Sequence, residues 1–280
     1  MGAGSTSALV VICRLALRPK LTRLALQCLA VILRDFFWLQ YQQALTGRSP
    51  VYNVDHAMDD LVPFDPRYVD ADADFSAFWL RALGHLMNRQ KDAEVFLCSI
   101  ADVYRRVAAI YRLGFSTTTR PRFYRGKFLV IHAFDPHSMC VSSLHVVLMI
   151  RTFTKFRAAI SETDVDLVQL SAVERGAYRI TESVLFVKQH SVNCIPAAMY
   201  AMTCDDPVFF SRSAGHEFVQ SLFQSCLEPN TADKLRSHIV CLSDRWLDEW
   251  ETCESWTEPL VNFLREHPRA ETRRLFAALT

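Results

Sequence analysis

Apolar side chains recur every three or four residues through most of this chain, and that spacing is the helical one. Between 68 and 88 they fall at Phe75, Phe78, Trp79, Leu83 and Leu86; between 92 and 113 they fall at Val95, Ile100, Val103, Val107 and Ile110. A half-buried strand would alternate every second residue, which neither stretch does. Glycine is scarce, 8 in 280 residues, which suits helices better than a turn-rich all-β fold. The expected fold is all-α: a helical bundle of about six core helices with a C-terminal helical appendage. Three parts are expected: N-terminal amphipathic helices over 1–49, a helical core over 50–205 and a helical extension over 206–280.

Local signals refine this. Helices are expected over 5–44, with a break at Arg18-Pro19, then over 68–88 and 92–113. Residues 47–66 read as a connection rich in turn formers and acids, and 114–127 as a loop. A helix should start near Ser142-Ser143, whose hydroxyls suit an N-cap, and another should cover 181–202, kinked or ended near Pro196. Asp205-Asp206-Pro207 reads as a boundary before helices over 215–226, 231–246 and 258–279, the last interrupted by Pro268. Trp246, Trp250 and Trp256 lie among acids in this extension and read as helix packing or as a partner-docking face.

Bulk charge and cysteine usage narrow the function. Thirty-one cations against 30 acids leave +1, so the molecule as a whole is not a nucleic-acid binder. The nine cysteines are odd in number and scattered, with no CxxC, which argues against a disulfide framework or metal cluster and for reduced, cytoplasmic thiols. The apolar stretch over 8–13 is short, and Arg14, Arg18, Lys20 and Arg23 follow it instead of leading it, so no secretion is expected. The apolar stretch over 24–33 stops at Arg34-Asp35, and no uncharged apolar run reaches about 18 residues. Leu9, Ile12, Leu15 and Leu17 with interleaved cations fit a membrane-lying amphipathic helix; an ordinary packing helix fits equally.

Chemistry concentrates in one arginine and two histidines. Arg120 stands in Thr119-Arg120-Pro121, within a stretch, 103–134, that holds seven cations and no acid. The proline biases Arg120 to an extended backbone and restricts its loop. His145 follows Ser142-Ser143-Leu144, and His190 comes 45 residues later. At about 100° per residue, Ser183, Phe186, Val187, His190 and Cys194 would share one helical face, with His190 the polar residue at its centre. An arginine fork can hold a phosphate while one histidine attacks phosphorus and the other protonates the leaving oxygen. The histidines 132, 137 and 145 lack supporting acids at ligand spacing, so neither a metal nor another cofactor is expected. His56, Asp55, Asp59 and Asp60 read as a capped or solvated turn.

The order Arg-Pro, Ser-Leu-His, then Ser-x6-His resembles the phosphatidic acid phosphatase type-2 / haloperoxidase superfamily, above all its lipid-phosphotransferase-like branch. Residues 59–66, Asp-Asp-Leu-Val-Pro-Phe-Asp-Pro, are similar to the segment before the first helices of that branch. The resemblance spans about 50–205. It implies a helical bundle, commonly in membranes but soluble in some members, that acts on a phosphate monoester or phospholipid headgroup through a phosphohistidine. On it, His190 is the nucleophile, His145 the general acid, Arg120 and Ser143 bind phosphate, and Arg112 stands one residue from the first-motif lysine position, Leu113. The proline, glycine and arginine of the motifs are replaced by Ser142, Leu144 and Val184, and the acid after the nucleophile by Cys194, with Asn193 beside it. A neutral thiol orients an imidazole poorly, and loss of the orienter in a Ser-His-Asp enzyme lowers the rate by about four orders of magnitude. Glu182 is a possible substitute but lies about 80° off the His190 face. A catalytically inactive binding or scaffold protein on the same bundle is the alternative expectation.

Overall fold

The helix α8 (Leu144–Ala159) forms the centre of the computed structural model, which describes residues 7–160 and 164–270. Every residue from 146 to 154 is buried, as expected of a helix apolar nearly all round. Its neighbours are α5 (Phe75–Leu86), α6 (Gln90–Leu113), α9 (Asp164–Phe186) and α10 (Cys194–Asp205). Phe78, Leu83, Leu86, Ile100, Val103 and Val107 all turn inward, so the apolar spacing on α5 and α6 marks their core faces, except at Val95, which is exposed. Ser143 is the N-cap of α8, accepting from the Val146 N–H at 3.5 Å. The protein is all-α, as expected.

At the N-terminus, α1 (Ala8–Ala16) breaks at Arg18, and α2 (Pro19–Ile32) opens on Pro19, whose missing N–H is harmless in a first turn. A six-residue π-helix (Leu33–Trp38) joins α2 to α3 (Leu39–Thr46). By length and composition the span Pro19–Thr46 suffices to cross a membrane, a criterion that core helices of soluble proteins also meet. Leu26, Leu29, Trp38 and Leu45 in this span are exposed, as is Leu17 just before it.

Two stretches read as irregular contain paired backbone. Strand β1 (Val51–Asn53) lies parallel to β2 (Phe115–Thr117), with Val51 opposite Phe115. Two short helices, α4 (Val69–Ala73) and α7 (Lys127–Phe134), flank the bundle.

The helix expected over 181–202 is two helices. α9 ends at Phe186, residues 187–193 form a turn, and α10 starts at Cys194, with Pro196 in its first turn. Lys188 adopts φ 54°, a left-handed conformation that interrupts the helix.

Asp205 and Asp206, at the expected boundary, anchor cations of the core. Arg106 pairs with Asp205 at 2.7 Å and Lys155 with Asp206 at 2.6 Å, while the buried Arg151 reaches both. The C-terminal helices α11 (Arg212–Gln220), α12 (Pro229–Trp250) and α13 (Glu258–Glu266) follow. α12 packs on α10, where the fully buried Trp246 meets Tyr200 and Phe263. The last expected helix is shorter than its sequence pattern, ending before Pro268; residues 271–280 lie outside the described residues.

Candidate functional site

His145 projects from the first turn of α8 and His190 from the 187–193 turn, and their rings meet with centroids 5.5 Å apart, edge to face. Both line a cavity of about 250 Å³. Its apolar wall includes Phe36, Phe37, Phe75, Val130, Ile131 and Leu144; its polar side carries Gln40, Asp72, Asp135, His137 and Gln189 beside the two histidines.

The turn bearing His190 is fixed from both ends. The His190 and Gln189 N–H groups donate to the Val184 carbonyl at 3.2 and 3.0 Å. The Asp59 carboxylate accepts from Val192 N–H at 2.6 Å and from His56 N–H at 2.8 Å, and Lys188 Nζ donates to the Val62 carbonyl at 2.5 Å. His190 therefore does not stand on a helical stripe with Ser183 and Cys194, because no helix runs between 186 and 194.

The orienter of His190 is a backbone carbonyl. His190 Nδ1 lies 3.2 Å from Cys140 O. A carbonyl only accepts, so Nδ1 carries the proton and Nε2 keeps its lone pair. Cys140 is held in turn: its N–H donates to Ser116 O at 3.1 Å, the Val141 N–H to Ser116 Oγ at 2.7 Å, and the Tyr111 hydroxyl to Ser142 O at 2.7 Å. Burial, and then the neighbouring His145 and His137, push the His190 imidazole well below its usual range, so it is neutral at pH 7.

The residues expected to orient His190 point elsewhere. Cys194 sits in a second apolar cluster with Val54, Cys140 and Tyr200, where burial raises its thiol. Asn193 bonds His238 Nε2 through Oδ1 at 2.9 Å and donates to the Val54 carbonyl at 3.4 Å. Glu182 caps a different segment, accepting from the Phe223 N–H at 2.6 Å.

Arg120 is already paired. Its Nη2 contacts the Asp135 carboxylate and its Nη1 lies 3.4 Å from the Asp135 carbonyl, while Nε is buried with no partner. Asp135 also accepts from Gln40 Nε2 at 2.5 Å and from the His137 N–H at 2.9 Å. Burial would raise the Asp135 carboxyl, but Arg120 and His137 outweigh it and hold it far below the usual carboxylate range. Burial, followed by Arg120, lowers His137 to about 3, and its Nε2 lies 3.0 Å from Thr118 Oγ1. Ser143 spends its hydroxyl on the helix cap and does not line the cavity. Arg112 lies outside the cavity lining, with Asp35 taking its guanidinium at 2.6 Å.

Gln40, Asp72 and Asp135 escaped the sequence reading, and His137 was weighed there only as a metal ligand. Asp135-Pro136-His137 reads as a helix break, and only its position after a long acid-free stretch sets it apart. Asp72 stands in Asp70-Ala71-Asp72-Ala73-Asp74 and looks like one of several solvated acids. Among the described residues no group of three or more His, Cys, Asp or Glu side chains is arranged to hold a metal. No protein-family model, curated protein or solved structure matches the chain.

Proposed function

We propose that the cavity is a phosphate-ester site and that the protein is a phosphatase or phosphotransferase working through a phosphohistidine. The observation that carries this reading is the His190 ring: neutral by burial, with Nδ1 donating to the Cys140 carbonyl and the Nε2 lone pair unengaged. That is the state a nitrogen nucleophile needs. His190 Nε2 attacks phosphorus, the P–O ester bond breaks, and His145 gives its proton to the leaving oxygen. Water then attacks the phosphohistidine, His145 takes the proton, the N–P bond breaks and phosphate leaves. Arg120 does not itself line the cavity; it stands behind Asp135, which does, and on this reading its positive charge reaches the phosphoryl group once the Asp135 contact yields.

The substrate reading is a phosphate monoester or phospholipid headgroup. The apolar wall of the cavity suits an ester of an apolar alcohol. Membrane association of the N-terminal helices belongs to the same proposal, supported by the exposed Leu17, Leu26, Leu29, Trp38 and Leu45. A second reading, an inactive binding or scaffold protein, is favoured by one observation: Asp135 occupies the arginine fork that a phosphate would need.

Hydrolysis of p-nitrophenyl phosphate and of phosphatidic acid by the purified chain, with His190→Ala as control, separates the two. Turnover lost in the variant, together with vanadate binding by the wild type, supports the phosphohistidine. Absence of turnover and of vanadate binding in a folded wild type leaves the scaffold reading.

A further inference from the structure

The outer face of the N-terminal rod is apolar where a surface helix is ordinarily polar. Leu26, Leu29, Leu33 and Phe37 recur at intervals of three and four residues, so they form one stripe along α2 and the π-helix, and all four are exposed. The opposite face is bound. Leu21, Cys28, Val31 and Asp35 are buried, α2 packs along α6, and Asp35 takes Arg112 of α6 at 2.6 Å. The rod is therefore fixed to the bundle by one face and leaves the other without a partner. A contiguous apolar surface rimmed by polar groups marks an interaction site.

The stripe ends in the cavity. Phe37 is 42 % exposed and also lines the cavity; Val130, on α7, is 57 % exposed and lines it too. These two side chains belong to the outer surface and to the cavity wall at once, so they mark its mouth. Their sequence neighbours Trp38 and Leu129 are exposed as well. An apolar surface thus runs from the outside of the rod to the wall formed by Phe36, Phe75 and Leu144.

Charge selects the partner. Residues 8–46 carry five cations and one acid, and that acid, Asp35, is buried against Arg34 and Arg112. Arg23 and Arg34 are exposed and flank the stripe by helical geometry, and Arg122 and Arg125 are exposed in the loop before α7. Arg23, Arg122 and Arg125 pair with no acid among the described residues. An interface between two copies would bring together two such sets of cations with no exposed acid on the rod to meet them, whereas anionic headgroups meet them directly. We propose that this face docks on an anionic lipid bilayer with the mouth of the cavity turned to the acyl chains, so that a phospholipid passes from the leaflet into the site between Phe37 and Val130 without crossing water. This rests on the phosphate-ester reading of the cavity and names the partner for it. The rod lies on the bilayer and does not span it, because spanning would strip Leu21, Cys28 and Val31 from α6 and carry Asp35 into hydrocarbon.

The test is vesicle sedimentation of the full chain, with the double variant Leu29→Gln, Leu33→Gln; both side chains are exposed, so its Tm should match that of the wild type. The wild type should bind vesicles of equal parts phosphatidylserine and phosphatidylcholine at least about tenfold more tightly than phosphatidylcholine alone. On the mixed vesicles the double variant should lose at least about tenfold in affinity, and Arg23→Gln about fivefold. Lipid brominated on its acyl chains should quench Trp38, a quench that Trp38→Phe abolishes. Equal vesicle binding by wild type and double variant overturns the proposal, as does a wild type that resists alkaline carbonate extraction, which would mean a spanning helix. A wild type that ignores vesicles and self-associates through the stripe overturns it in favour of a second copy. His190→Ala separates docking from chemistry and should bind vesicles as the wild type does. Vesicle binding with no turnover of phosphatidic acid and no vanadate binding sinks the phosphohistidine reading and leaves the docking; turnover of p-nitrophenyl phosphate by a chain that binds no vesicle does the reverse.

Discussion

Replacing Asp135 by Asn asks whether the arginine fork is closed by the protein's own carboxylate. The Arg120 side chain is 12 % exposed and that of Asp135 36 % exposed. Breaking a fully buried pair is worth about 3–5 kcal/mol and an exposed one less than about 1 kcal/mol. With one partner buried and the other part-solvated, about 2 kcal/mol is expected. Gln40 and the His137 N–H keep an amide oxygen as acceptor, so the loss is mainly charge. A chain of this size has an unfolding entropy near 0.6 kcal/mol per kelvin, so Tm should fall by about 3–4 °C. Inorganic phosphate should return that stability, because an anion at about 100 times its Kd contributes about 2.7 kcal/mol. The assay is thermal denaturation with and without phosphate, alongside isothermal titration with vanadate. The variant should bind either anion at least about tenfold more tightly than the wild type, which must first displace Asp135. An unchanged Tm together with equal phosphate shifts in both proteins would refute the pairing argument and with it the role of Arg120.

Acid stability follows from the histidines. Burial lowers His190, His137 and His238, the last two to about 3 and about 4. Each is neutral in the fold and takes up a proton on unfolding once the pH falls below the unfolded value of about 6.5, so stability should decline from there downward. Nitrogen-15 NMR of the folded protein should find these three rings still neutral at pH 5, and a protonated ring there would contradict its burial. Gly176→Ala should destabilise by about 1–2 kcal/mol despite its better helix propensity, because the new Cβ would lie 2.4 Å from Phe78 Cε2; chemical denaturation checks this, and a stabilised variant would show that α5 and α9 are not in contact there. Asp59→Ala should loosen the turn that carries His190, losing two hydrogen bonds at about 1 kcal/mol each, and faster amide exchange at Val192 with α8 unchanged is the expected signature.

The helical architecture was legible because apolar spacing and the Ser143 cap are local signals, and α6 and α8 fall where those signals place them. The break after Phe186 was not. Val187-Lys188-Gln189-His190-Ser191-Val192-Asn193 contains no glycine or proline, and the turn is imposed by the distant Asp59 and Val62. His145 and His190 were singled out by motif order, which left open whether they meet; in the fold their rings are neighbours, and the carbonyl that orients His190 had no residue type to betray it. Arg112 fitted the motif only by counting one position off, and Asp35 takes it instead. The short strands pair across more than 60 residues, and runs of three residues carry no periodicity to detect.

The π-helix at Leu33–Trp38 acts as a phase shift in the N-terminal rod. Each π turn takes in more residues than an α turn, so everything after it is rotated relative to everything before. Gln40 and Gln43 are buried although polar, and each has found a use: Gln40 on Asp135, Gln43 on the backbone of Ser49. A single-residue deletion within 33–38 would turn them by about 100° away from those partners. The register of one helical segment thereby sets whether the acid facing Arg120 is braced from behind, and the same segment carries Phe36 and Phe37 into the cavity wall.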